Sequence, residues 1–420
     1  MESELERRSR LDFTKRKTDL LPYIQTYFPN VSATQFKQWE DAGALESRLI
    51  EGETYYFNRA AENLFRIDAV ARARKEAVDG AVILPREQTL KIHIPEVISE
   101  LKTSERRYGT AQAFTMTFSI TVNADATPAG ELIRCWLPYP RTDEKRQTNI
   151  RLLSTSEPHY DIAPDTCAHK TIYQEKRCKA GEPTEFSVSY SFDILPEWQP
   201  LNPENVKPYN KETATYREFC AERPPHILFS EAVKGLSETI IGDEKHPYEQ
   251  AKKLFVWLRA NYPWASAREY STIEHISDYV IANKHGDCGQ LSLLFITLCR
   301  YNGIPARWQS GFMLHPNGKN LHDWAEIYFE GIGWIPVDSS FGLQTWGKND
   351  DERLFFFGGQ DAYHLTINND FGRPLSPEKM HLRSETVDFQ RGEVEWRGGN
   401  LYFDQWDYAF TVAPSPQSTH

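Results

Sequence analysis

The sequence predicts an α+β protein, and three observations carry that prediction. Residues 110–195 alternate apolar and polar side chains with period two. The N-terminal part and residues 290–300 place apolar side chains at helical spacing, and the stretch after residue 246 mixes both periods. A chain of 420 residues is long enough for two or three separate cores. The expected division is a mainly helical module over 1–88, a β-sandwich over 110–195, a proline-rich linker and connecting segment over 196–245, and a mixed domain over 246–412.

In the first module, Ser32-Ala-Thr-Gln35 has the form of a capping box ahead of Phe36 and Trp39. Residues 49–57 read as a small hairpin around Gly52, and 60–77 as a further helix. Helix plus hairpin suggests a winged-helix outline, but local acidity speaks against DNA, so an accessory or docking module is expected. In the second region Phe114, Met116, Phe118, Ile120 and Val122 alternate, as do Phe186, Val188, Tyr190 and Phe192. Turns fall at Pro128-Ala-Gly130 and Gly181-Glu-Pro183. That pattern suits a sandwich of immunoglobulin-like type. Pro196, Pro200, Pro203 and Pro208 stiffen the linker. Ala251, Leu254, Phe255 and Leu258 then mark an amphipathic helix. The aromatic tail, with Leu354-Phe-Phe-Phe357 and a hairpin around Gly398-Gly399, either walls a cleft or completes a sheet.

The most informative stretch is 285–342. His285-Gly-Asp-Cys288 precedes an apolar run in which Leu291, Leu294, Phe295 and Leu298 have helical spacing; Asn302-Gly303 and Pro305 end it. Cys288 then stands at a helix N-terminus, where unpaired N–H groups and the macrodipole favour the thiolate of a group that ordinarily titrates near about 8.5. His322, Trp324, Glu326 and Tyr328 share one face of a strand, and Trp334, Pro336 and Asp338 share a face of the next, with the turn at 331–333. Folding back leaves Asp338 two or three positions from opposite His322, within diagonal reach of about 7–8 Å. Asp338 is expected to orient the ring and favour its charged form. A thiol, an imidazole and a carboxylate so related are what nucleophilic acyl transfer requires.

These residues, with the intervening Gly-Ile-Pro-Ala-Arg307, resemble the core of the transglutaminase-like superfamily, which shares its cysteine–histidine–aspartate logic with papain-like proteases. The resemblance covers roughly 60 residues. It implies a papain-like catalytic core with Cys288, His322 and Asp338 as its triad, acting on a peptide, protein or cell-wall amide through a thioester. Transfer to water makes a peptidase or amidase, the preferred reading. Transfer to an amine makes a crosslinking transglutaminase, and retention of the fold without turnover makes a binding module. The backbone N–H of Cys288 is the first expected oxyanion donor. The resemblance also implies an upstream aromatic donor; Tyr270, Trp264 and Tyr262 all remain open, with Tyr270 preferred. An exported location is slightly favoured on the same ground.

His275, His285, His315 and His364 remain as rival bases, although none sits in a matching strand pattern. Cys299 reads as a small core residue, Trp324 and Trp334 as shielding, and Arg307 as a structural ion-pair partner. Lys plus Arg number 48 against 59 acids, and a net charge of −11 argues against nucleic acid or an anionic membrane. No run of 18 or more apolar residues is present, and the first residues lack a signal-peptide core. Cys135, Cys167, Cys178, Cys220, Cys288 and Cys299 show no paired C-x-x-C spacing, and no acidic loop has calcium-ligand spacing, so no metal or other cofactor is expected. Cys167 and Cys178 are read as free thiols rather than a bridge.

Overall fold

The computed structural model describes residues 2–81 and 84–414. The chain divides into two compact units, each built from two stretches: 1–84 with 220–303, and 85–219 with 304–420. The expected linear boundaries therefore do not follow the compact units. Segment 246–412 is divided where the helix Cys288–Tyr301 stops at Asn302-Gly303 and the strand Ala306–Met313 begins. The expected linker holds the helices Ala214–Phe219 and Glu231–Ile241, since the prolines stop at Pro208 and Ser230 then caps a helix by accepting from the Val233 N–H.

The first unit is mainly helical. The hairpin Ser47–Ile50 with Glu53–Tyr56 packs with the N-terminal helices around Leu20, Ile24, Phe36, Leu64 and Phe65. The single helix expected over 60–77 is two, Ala60–Ile67 and Ala69–Asp79. Asp68 breaks it by adopting extended backbone and capping the Ala71 N–H at 2.7 Å. The helix Cys288–Tyr301 is buried from Gly289 to Arg300, as a helix apolar on every face must be. Its polar Thr297 is satisfied by Leu293 O and by Ser277, so the burial leaves no orphan there.

The second unit holds three sheets among the described residues. One has the order Gly333–Val337, Asn320–Phe329, Ala306–Met313, His364–Asn368, all antiparallel. The other two form the sandwich. Gly399–Leu401, Glu393–Trp396, Leu132–Pro138, Thr171–Arg177 and Tyr160–Ile162 make one layer; Trp406–Pro414, Gln112–Val122, Thr184–Ile194 and Gln147–Thr155 make the other. Three of these nine strands come from the tail, far beyond the expected limit of residue 195. The tail thus completes both sandwich sheets, and its earlier part, Phe355 and Phe356, is fully buried beside the first sheet. An 18-residue helix, Glu87–Ser104, was not legible as one, because Pro95 interrupts the propensity signal.

Candidate active site

The Cys288 side of the candidate site lies in the first unit. Cys288 is the first residue of its helix and is partly exposed. Asp287 caps that helix by accepting from the Gln290 N–H at 3.0 Å, and Gln290 reaches back to the Asp287 N–H to complete a capping box. Upstream, Ala265 N–H donates to Gly286 O at 3.0 Å in a short parallel bridge between Trp264 and Gly286, so two chain segments fix the loop before Cys288. The Tyr270 hydroxyl donates to Asp287, which commits its one proton to the cap in this arrangement. Trp264 is 40% exposed and carries the Arg66 guanidinium over its ring; Tyr262 is buried against Trp257. His285 is buried with neither ring nitrogen hydrogen-bonded, and burial pushes it down to about 4, so it is neutral.

The His322 and Asp338 side lies in the second unit. The register Ala325↔Val337 continues to put Asp338 opposite Trp324, two positions from His322 and on the same face. His322 Nε2 lies 2.6 Å from Asp338 Oδ2, which leaves Nδ1 as the other ring position. Asp338 Oδ1 accepts from the Ser340 N–H, the Ser340 hydroxyl and the Phe341 N–H at 3.0, 3.1 and 2.9 Å. Despite burial, the adjacent imidazoles, His322 first and then His364, hold the Asp338 carboxyl well below its ordinary range. Asp338 favours the charged form of His322, as expected, but burial outweighs it and the value falls below the usual one, which favours the neutral ring. Trp324 covers His322 and donates to Gln309, and Arg307 pairs with Glu326 at 2.6 Å while stacking on Trp334.

His364, a rival base in the sequence, belongs to this side. It opens the strand next to Ala306–Met313, and its Nε2 lies 3.2 Å from Asp338 Oδ2. Its Nδ1 meets Asp361 Oδ1 at 2.7 Å, and Asp361 Oδ2 meets His315 Nε2 at 2.9 Å. A buried chain of alternating rings and carboxylates results, and Phe341 packs against all three rings. Gly311 permits it. A Cβ there would stand 2.0 Å from Leu365 O, so only glycine lets the His364 strand approach. Ligand-type atoms of His322, Asp338 and His364 lie within 4.8 Å of one another, but each already serves a hydrogen bond inside the chain. The remaining cysteines are free thiols; Cys135 and Cys299 are fully buried, which pushes both well above the ordinary value.

Residues 234–339 match the family model of the core of the Transglutaminase-like superfamily. The chain therefore carries a transglutaminase-like core, and Cys288, His322 and Asp338 all lie inside it. Among curated proteins, it is 25% identical over 153 residues to the uncharacterized protein YebA of Bacillus subtilis strain 168, covering 32% of this chain and 20% of that one. It is 28% identical over 145 residues to an uncharacterized protein of Haemophilus influenzae, covering 28% and 38% respectively. The chain thus spans about a fifth and under two-fifths of these relatives. Among solved structures it is similar to a candidate cysteine protease from Cytophaga hutchinsonii, at TM-score 0.48 and 15% identity over 74% of this chain and 94% of that one. It is also similar to the periplasmic domain of TgpA from Pseudomonas aeruginosa, at TM-score 0.29 and 14% identity over 55% and 88%. No helix among the described residues is long and apolar enough to cross a membrane.

Proposed function

We propose that Cys288, His322 and Asp338 form the catalytic triad of a cysteine peptidase or amidase. His322 Nδ1 takes the proton from the Cys288 thiol, and the thiolate attacks the carbonyl carbon of an amide. N–H groups at the helix start meet the oxygen as it becomes negative. The tetrahedral centre collapses, His322 gives its proton to the departing amine, and an acyl thioester remains on Cys288. Water then attacks with His322 again as base; the carboxylic acid leaves and the thiol is restored. Asp338 keeps Nε2 protonated so that Nδ1 is the base.

The observation that carries this reading is the His322–Asp338 bond, which fixes the tautomer required of a base, within the same family-matched segment that starts a helix at Cys288. Alkylation by iodoacetamide at pH 6 tests it. Cys288 is expected to react faster than the other five cysteines, above all Cys135 and Cys299, and His322→Ala removes that advantage. A panel of peptide, glycan-linked and cell-wall amides with and without an added primary amine then identifies the acceptor. Uniform labelling, or labelling unaffected by His322→Ala, sinks the reading.

A further inference from the structure

We propose that His364 is a positioning residue for this triad: a buried imidazolium, held between Asp338 and Asp361, that fixes the donor role of His322 Nε2 and moderates its basicity. The inference rests on the reading of His322 as the base, but its first observation is independent of catalysis. A neutral imidazole has one N–H and one lone pair, whereas an ionised carboxylate only accepts. Both nitrogens of His364 face carboxylate oxygens, at 3.2 Å to Asp338 and 2.7 Å to Asp361. Asp338 takes three further donors at its other oxygen, and Asp361 takes the Tyr363 N–H at 2.8 Å. With both acids ionised, both nitrogens of His364 carry protons. The two carboxylates raise His364 above its ordinary value although the ring is fully buried.

The consequence for His322 follows from charge. Asp338 alone pulls a proton onto His322; the His364 cation, sharing the same oxygen, weakens that pull, while Asp361 compensates the cation. His315 ends the chain as a neutral donor to Asp361, kept so by burial, and its Nδ1 has no partner. The remaining neighbours of His364 are the rings of His322, Trp324, Phe341 and Phe356, and the Arg86 guanidinium lies over Phe341 at 4.1 Å. With one proton moved to His322 during the reaction, the buried group passes from one net negative charge to none. Without His364 it starts from two, and His322 is driven toward its charged form.

Two measurements decide it. In the wild-type protein labelled with 15N-histidine, one of the twelve rings is expected to remain imidazolium at pH 8, with His322 a neutral Nε2–H tautomer; the signal disappears in His364→Gln. In the same variant, the alkaline limb of the pH profile for Cys288 alkylation should move up by about one unit or more. A wild-type protein with every ring neutral at pH 8 overturns the proposal without need of a variant. So does a folded His364→Gln protein with an unmoved limb. If instead His322→Ala leaves Cys288 reactivity unchanged, the triad reading fails while the His364 result stands.

Discussion

The proposed nucleophile and the proposed base are built by opposite means. Cys288 is held by local chemistry: a cap three residues long, one buried helix and one short bridge to Trp264. The proposed base is held by long-range chemistry, with rings and carboxylates drawn from residues 315, 322, 338, 361 and 364 on four strands and their flanks. Two buried histidines show the contrast. His285 has no partner and is neutral; His364 has a carboxylate at each nitrogen and is charged. Burial alone therefore does not set the state of a histidine here. The neighbours decide it.

That comparison can be broken at several points. The largest effect is expected at Asp338. Asp338→Asn keeps the shape but ends the stabilisation of an imidazolium and can reverse the His322 tautomer, so turnover should fall roughly 10³- to 10⁴-fold, with a lower melting temperature because a buried charge partner is lost. Unimpaired turnover of any amide substrate removes Asp338 from the triad.

Next come the two histidines, whose contributions to stability run in opposite directions with pH. His285 titrates below its unfolded value, so its contribution is present above about 6.5 and lost as pH falls toward 4. His285→Leu should flatten that acid loss by a few kcal/mol at most. His364 titrates above its unfolded value, so its contribution is full below about 6.5 and lost as pH rises through the folded value; His364→Gln should flatten that alkaline loss. Denaturant unfolding of each variant against wild type across pH 4 to 9 reads both. Parallel curves for wild type and variant dismiss the assignment.

Smaller effects sharpen the local-against-long-range distinction. Gly311→Ala should cost about 1–3 kcal/mol by pushing back the Leu365 strand, and it should perturb the His364 imidazolium signal while leaving Cys288 at its helix start. Asp287→Ala should cost about 1 kcal/mol through the lost cap, detectable as a lower melting temperature, with the His364 signal unmoved.

What was legible follows the same division. The capping aspartate, the apolar run and the closing Asn302-Gly303 all lie within twenty residues, and they locate Cys288 without tertiary information. Alternation and a glycine turn likewise yield the diagonal between His322 and Asp338. The place of His364 is not legible in its own strand pattern, because it depends on Gly311 about fifty residues earlier and on Asp361 at a strand entrance. The sandwich boundary failed for a related reason. Trp406–Pro414 alternates as a strand should, but nothing in its pattern names Gln112–Val122 as the neighbour.

That pairing has a consequence for biogenesis. The Gln112–Val122 strand leaves the ribosome about 290 residues before the strand that covers its edge, and an entire helical unit is completed in between. During that interval Phe114, Met116, Phe118 and Ile120 sit in a half-built layer with one open flank, the condition in which nascent sheets recruit foreign strands. A chain stopped between residues 303 and 406 is therefore expected to retain the helical unit yet depend on a holding chaperone for the other.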